Sequence, residues 1–324
     1  MAFLNKIFSI KKDGYTKYIT ILGIKIKRTN RIKKLEEEIK NLKYKLYRYC
    51  PDEKRAEAMK DWYFDKTGEI LDLKNPKTFN QKIQWLKLYD STPIKTRLAD
   101  KYLVREWVKE KIGEEYLIPL LGVWDKAEDI NFDKLPKQFV LKCNHGSGYN
   151  IIVKDKSKIN VNKIRKQLNE WLNEDFAFKY GFELHYSDIP RKIIAEEYIS
   201  EIENSLYDYR FFCFSGKCKN IWLDVKSGTP YHERLIFDEN WNELNVKVKW
   251  PKIKDLVQKP EKFDEMKKLA ETLSKGFSLG RVDFYLVKNK ICFGEMTFTS
   301  MSGLGKFEPK SFDEELGNYI KINN

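Results

Sequence analysis

The sequence predicts an α+β or mixed α/β chain, on three observations. Helical spacing of apolar residues dominates before about residue 115, and β-prone runs dominate after it. The hydrophobic fraction is 42% and the aromatic fraction 14%, enough for packed cores and too much for a disordered chain. The 324 residues imply two or three domains or subdomains.

Taken in order, Tyr15–Lys27 carries Ile19, Ile21, Ile24 and Ile26 around Gly23 and reads as a hairpin or two short strands. Arg31–Tyr49 repeats apolar residues at Ile32, Leu35, Ile39, Leu42 and Leu46, a helical stripe, with Glu36–Lys40 as a favourable i,i+4 pair. It is either a solvated amphipathic helix docked on the body or on a partner, or a membrane-surface or dimerisation element. Pro51 ends it. Helices are expected over Glu53–Lys66, Thr78–Tyr89 and Asp100–Gly113; Thr78 and Gln81 form a capping-box pattern. Strands are expected at Leu117–Val123, Phe139–Cys143 and Ile151–Val153, followed by a helix at Lys163–Leu172. The remainder is strand-rich: Ile193–Tyr198, Tyr209–Phe214, Asn220–Val225, Leu235–Phe237, Arg281–Val287 and Ile291–Met296, with one helix at Asp264–Leu273 stopped near Gly276. The expected divisions are 1–50, 51–130, 131–200 and 201–324.

Composition narrows the function classes. Mean hydropathy is −0.61 and no run approaches the ~18 apolar residues of a membrane span. Met1–Ile10 lacks the apolar stretch of a signal peptide. The five cysteines, Cys50, Cys143, Cys213, Cys218 and Cys292, include no Cys-x-x-Cys pair and read as reduced thiols of a cytoplasmic protein. Only three histidines occur, which argues against a His-rich metal centre. Of the net charge of +13, residues 1–50 hold +10, from fourteen Lys/Arg against four Asp/Glu. The body is nearly neutral, so no nucleic-acid partner is expected; anionic lipid at the inner face of the cell membrane or an acidic polymer fits the basic appendage as well.

Three stretches could carry chemistry. In FVLKCNHGSGYNIIV, a strand bearing Lys142 runs into His145-Gly146-Ser147-Gly148 and at once into another strand. Such a loop can bring backbone N–H groups and a fixed cation to phosphate, or be an ordinary hairpin turn; it is not a Walker A loop. In GRVDFYLVKNKICFGEMTFTSMSGLGKF, a turn centred on Asn289 would set Asp283 opposite Glu295, with Arg281 and Thr297 on the same face. Facing carboxylates about 5 Å apart repel. Either a hard cation such as Mg²⁺ with substrate phosphate resolves the conflict, or the group is a structural salt-bridge cluster. In IIAEEYI, an apolar strand ends in Glu196 and Glu197, as the edge of a nucleotide pocket or as a strand entering solvent.

In this order the stretches NPKTFNQKIQWLKLYD, LADKYLVREWV, IPLLGVWD, FVLKCNHGSG, IIAEEYI, DYRFFCFSGK and FGEMTFTSMSGLGKF resemble the TupA-like ATP-grasp family of surface-polysaccharide and teichuronopeptide biosynthesis, over about residues 60–324. The resemblance implies an ATP-grasp fold, two α+β subdomains enclosing ATP, with a helical N-terminal region. It implies ATP and Mg²⁺ as cofactors, a carboxylate activated as an acyl phosphate, and an amine as the attacking partner. By the same resemblance Lys101 and Lys142 meet the nucleotide, and His145, Gly146, Ser147 and Gly148 cover its phosphates. Glu196, Glu197 and Tyr198 form the adenine–ribose hinge, and Asp208 is a ribose-binding acid. Asp283 and Glu295 hold Mg²⁺, and Arg281 steadies the acyl phosphate. Thr297 stands where many relatives have Asn, and its hydroxyl can still meet Mg²⁺-bound oxygen.

Within Asn220–Phe237, Lys226, His232 and Arg234 are candidates to hold a sugar or amino-acid carboxylate, or are plain strand charges. The expected activity is amide formation on a hexuronic acid or acidic group of a capsular or other cell-surface polysaccharide. The rivals are a glycosyltransferase of the same pathway and a non-catalytic polysaccharide- or membrane-surface-binding protein. No Asp-x-Asp occurs in the chain, which counts against the first.

Overall fold

The computed structural model describes residues 8–13, 16–21, 24–29, 31, 34–35, 38–39, 42, 46–199 and 206–322. Tyr15, Gly23, Ile32 and the Glu36–Lys40 pair lie outside the described residues. Two compact units emerge, Met1–Pro51 and Asp52–Asn324.

The first unit holds one strand more than its sequence suggests. Strands β1 (Phe8–Asp13), β2 (Thr16–Ile21) and β3 (Ile24–Thr29) form an antiparallel meander. β1 carries little strand signal, since only Phe8 and Ile10 alternate before the polar Lys11-Lys12-Asp13. Arg31, Lys34, Leu35, Glu38, Ile39, Leu42 and Leu46 are helical, as their period requires.

The second unit opens with helices α1 (Arg55–Thr67), α2 (Phe79–Tyr89), α3 (Pro93–Ala99) and α4 (Val104–Lys111). Thr78 caps α2, its Oγ1 accepting from the Gln81 N–H at 3.3 Å. The return arm of the box lands one residue early: Gln81 Oε1 accepts from the Lys77 N–H at 2.9 Å. The long helix expected at Asp100–Gly113 is shorter, because Asp100 Oδ1 instead accepts from the N–H groups of Tyr102 and Leu103 and holds a turn ahead of α4.

A small antiparallel sheet follows: β4 (Leu120–Trp124), β5 (Phe139–Cys143), β6 (Asn150–Val153) and, after α5 (Val161–Leu172) and α6 (Phe176–Lys179), β7 (Ile193–Glu197). Its order is β4-β7-β5-β6. Phe139, Leu141, Cys143, Ile193 and Ala195 alternate inward against Ile164 and Leu168 of α5, as period-two burial demands.

The large sheet contains β8 (Tyr207–Phe214), β9 (Lys217–Val225), β10 (Glu233–Asp238), β12 (Leu279–Val287) and β13 (Lys290–Thr297), ordered β10-β9-β8-β12-β13 and antiparallel throughout. Short strands β11 (Lys247–Val248) and β14 (Phe307–Glu308) pair beside it. One face, including Phe211, Leu223, Val282, Phe284, Phe293 and Met296, packs on α7 (Phe263–Leu273). Part of the opposite face, with Phe212, Phe214, Trp222, Ile236 and Leu279, packs on α2 and on α8 (Ser311–Tyr319). The rest of that face is polar. Among the described residues no helix is long and apolar enough to cross a membrane.

Two polar anchors lock the helices to the loop after β13. Lys87 of α2, fully buried, donates to the Tyr180 and Ser302 carbonyls, each at 2.9 Å, to Ser302 Oγ at 2.6 Å and to Gln84 Oε1 at 3.1 Å. Burial pushes its pKa down to about 8. Nearby, Glu183 accepts from the Thr299 hydroxyl at 2.5 Å.

His185 is buried against Tyr186 and edge-on to Phe298, with Nε2 unpartnered. Burial pushes its pKa down to about 3, so the native imidazole is neutral. The unfolded chain takes up a proton near pH 6.5, so this contribution is whole above that pH and is lost as pH falls toward the folded value. His185→Leu is expected to reduce the pH slope of the unfolding free energy between pH 6 and 4 by about one proton, measured by urea denaturation across that range.

Candidate active site

Directly opposed residues of antiparallel strands share a face. Asp283 of β12 is opposed to Glu295 of β13 on one side and to Arg210 of β8 on the other; Arg281 is opposed to Thr297. Asp208 pairs with Asp224 of β9, which pairs with Arg234 of β10. One polar strip therefore crosses all five strands.

Its centre is Arg281. Nε and Nη2 donate to the two oxygens of Asp283, both at 2.7 Å; Nη2 also reaches Glu295 Oε1 at 2.6 Å, and Nη1 reaches Ser300 Oγ at 3.1 Å. Thr297 donates to the same Glu295 oxygen at 3.2 Å. Burial pushes Asp283 up to about 7, against the pull of Arg281. Burial also opposes ionisation of Glu295, but Arg281, Lys101 and Arg210 outweigh it and hold this carboxyl below its ordinary value.

The opposition of Asp283 and Glu295 arises differently from the simple hairpin count. The turn is Lys288–Asn289, both with positive φ, and Val287 pairs Lys290. That register, continued, would set Gly294 opposite Asp283 and turn Glu295 to the apolar face. A β-bulge intervenes: Phe284 pairs Phe293, and then Asp283 pairs Glu295, leaving Gly294 as the extra residue. Glycine fits because a Cβ there would lie 3.1 Å from the Asp283 carbonyl oxygen and 3.1 Å from the Tyr285 ring.

Further along the strip Arg210 binds Asp208 Oδ2 through Nε at 2.9 Å and Nη2 at 2.6 Å, and Nη2 lies 3.0 Å from Asp224 Oδ2. Arg234 holds Asp224 with two contacts, at 2.5 and 2.7 Å. His232 Nε2 lies 3.2 Å from Asp224 Oδ2, and its ring stacks on Trp250. Burial would raise the pKa of Asp224; Arg234, Arg210 and His232 more than reverse it. Asp208 is pushed up by burial, which Arg210 opposes, and its Oδ1 has no partner. Lys226 stands apart on an exposed turn, 3.6 Å from Glu233.

The small sheet contributes a second cluster. Lys142 Nζ lies 2.5 Å from Glu196 Oε2, and Arg105 of α4 holds Glu196 Oε1 at 2.9 Å. The Glu196 carboxylate is thus already shared by two cations; Glu197 is exposed at the strand end and Tyr198 is half-buried. In the β5–β6 turn His145 is buried, its Nε2 3.0 Å from the Trp171 carbonyl at the end of α5, and burial pushes its pKa down to about 4. Ser147 and Gly148 are exposed, Gly148 at φ 79°. Lys101 donates to the Gly146 carbonyl. Burial lowers the Lys101 pKa, Glu295 opposes that, and Lys142 adds to it. Lys101 is therefore the cation that feels both sheets. Arg105, Arg210, Asp224 and Ser300 belong to these clusters and were not anticipated; only their position beside acidic or glycine-containing motifs could have suggested them.

The donor set suits a hard cation. Asp283, Glu295 and Thr297 offer only oxygen, and Asp208 Oδ1 is an unsatisfied buried acceptor on the same face. Among the described residues no three His, Cys, Asp or Glu side chains converge as a closed cage. Two carboxylates with the remaining positions left to phosphate and water is the Mg²⁺ pattern, not that of a structural metal.

Arg281→Met leaves the buried Asp283 and the half-buried Glu295 without their shared cation. Stability is expected to fall by about 3–5 kcal/mol in urea denaturation, with part recovered in Arg281→Met/Asp283→Asn. No recovery in the double variant would mean that packing, not charge, was lost.

Among solved structures, D-alanine–D-alanine ligase from Bacillus anthracis is 20% identical with a TM-score of 0.40, covering 69% of this chain and 66% of that chain. The same ligase complexed with ATP is 17% identical with a TM-score of 0.41, covering 69% and 65%. L-amino acid ligase from Bacillus licheniformis is 15% identical with a TM-score of 0.39, covering 66% and 44%. This chain spans just under two thirds of the length of the D-alanine–D-alanine ligase chains it matches. No curated protein matches it. The family model described as TupA-like ATPgrasp matches residues 81–321, from α2 through both sheets to the end of α8, and the chain belongs to that family, with its ATP-grasp fold.

Proposed function

We propose that the protein is an ATP- and Mg²⁺-dependent carboxylate–amine ligase that forms an amide bond through an acyl phosphate. Its acceptor is a hexuronic acid or other acidic group of a capsular or cell-surface polysaccharide, and its second substrate an amine or amino acid. The observation that carries the reading is Asp283 and Glu295 on one face of a β-ribbon sharing Arg281, with Lys101 electrostatically coupled to both Glu295 and Lys142. The family match supports ATP-dependent carboxylate–amine ligation; the polysaccharide rests on the family's description.

In this reading a substrate carboxylate oxygen attacks the γ-phosphorus, and the bond to ADP breaks. The amine nitrogen then attacks the acyl carbon, the carbon–oxygen bond to phosphate breaks, and the amine's proton leaves to solvent. The chain's task is positioning and charge neutralisation. Lys101 and Lys142 present ammonium groups to phosphate oxygens, and the His145–Gly148 loop covers them with backbone N–H groups. Arg281 steadies the acyl phosphate and the oxyanion that follows. Asp283 and Glu295, with Thr297 beside them, hold Mg²⁺, which supplies neutralisation of phosphate charge when bound. Glu196, Glu197 and Tyr198 line the nucleoside end, with Asp208 as a further acid at the ribose. Asn220–Phe237 meets the substrate; Lys226 is the exposed cation there, while Arg234 and His232 brace Asp224 behind it. Residues 131–200 and 201–324 act as the two clasping subdomains.

Purified protein with ATP, Mg²⁺ and paired uronate and amine substrates is expected to release ADP and phosphate only when both substrates are present. Asp283→Asn and Glu295→Gln are each expected to lower turnover by at least about a thousandfold while the protein still folds cooperatively, Asp283→Asn at a lowered melting temperature. Full activity in both would remove the metal assignment, and product formed from a sugar nucleotide without ATP consumption would favour a glycosyltransferase.

A further inference from the structure

The helix of the first unit leaves its apolar stripe in water. Leu35, Ile39, Leu42 and Leu46 are 46%, 65%, 59% and 64% exposed. An apolar row in that state calls for a partner surface, and the pattern specifies which one.

The spacing is a strict heptad. With Ile32, Ile39 and Leu46 at a, the d positions are Leu35 and Leu42. Isoleucine at a with leucine at d is the combination that favours parallel two-stranded coiled coils. The flanking positions are all charged: Arg31, Glu38 and Lys45 at g, Glu36 and Lys43 at e. The stripe is thus the narrow two-position seam of a coiled coil, not the wide apolar face with which a helix lies on lipid. In a parallel pair each g residue meets the e residue of the next heptad on the other strand. Arg31 then opposes Glu36 of the partner subunit, and Glu38 opposes Lys43 of the partner subunit, so both complete contacts are attractive. The run of Glu36, Glu37 and Glu38 would in contrast face an anionic membrane unfavourably.

We infer that residues 31–46 pair with the same segment of a second copy of this chain as a parallel two-stranded coiled coil. The basic segments of both copies are thereby brought together. The seam is short, so association is of modest strength and concentration-dependent.

The full chain is expected to sediment as a dimer at tens of micromolar and to dissociate on dilution. Leu35→Asp/Leu42→Asp is expected to be monomeric, with the melting transition of the second unit unchanged. Glu38→Lys sets like charges across the seam and is expected to weaken the dimer several-fold. Glu38→Lys/Lys43→Glu restores the attraction and is expected to recover it, which a folding defect would not permit. In a Cys50→Ser background, Leu35→Cys is expected to cross-link to itself under mild oxidation, as a parallel register requires. A monomeric wild type, a dimer indifferent to these changes, or Glu38→Lys that instead strengthens binding to phosphatidylserine vesicles would overturn the inference. None of these readouts depends on ligase activity.

Discussion

One guanidinium holds the polar face of the large sheet together. Arg281 is buried on that face, and around it lie two carboxylates that repel each other. Remove water from such a group and the carboxylates would rather be neutral than charged. Arg281 keeps the cluster near balance, and the rest of the strip repeats the device: Arg210 between Asp208 and Asp224, Arg234 on Asp224. Two of the directly opposed pairs, Asp208–Asp224 and Asp283–Glu295, are acid against acid, and an arginine two residues along the strand neutralises each of them.

Rigidity at Arg281 comes from the helices as much as from the sheet. Its Nη1 contacts Ser300, at the start of a loop in which Met301 and Ser302 adopt left-handed backbone. Two left-handed residues in succession are strained, and Lys87 pins that loop through two bonds to Ser302 while a third ties it to the Tyr180 carbonyl. A lysine in the core of a helix layer thus holds the loop whose first residue meets the arginine of the strip.

Much of this was legible in the sequence, for physical reasons. The strands around Lys142, Glu196 and Arg281 lie where their β-branched and aromatic runs put them, because each is buried on at least one face. Helix α3 was missed because it is seven residues long, although Thr92-Pro93 marks its start. Helix α8 was missed because its apolar positions reduce to Phe312 and Leu316, one turn apart. Arg105, Arg210 and Asp224 were invisible as site members, since only strand pairing and helix packing deliver them to Glu196 and Asp208. The facing of Asp283 and Glu295 was anticipated from a turn centred half a residue too late; the bulge supplies the offset that this count assumed.

That extra glycine has a further implication. Because the strand resumes its alternation beyond it, the apolar layer beneath the sheet sees Phe293 and Met296 as though nothing had been inserted. One inserted residue therefore sets both faces of the ribbon at once. Without the kink every residue beyond it would change sides together, Glu295 turning toward the apolar layer and Met296 away from it, so the core and the polar strip are fixed by the same glycine.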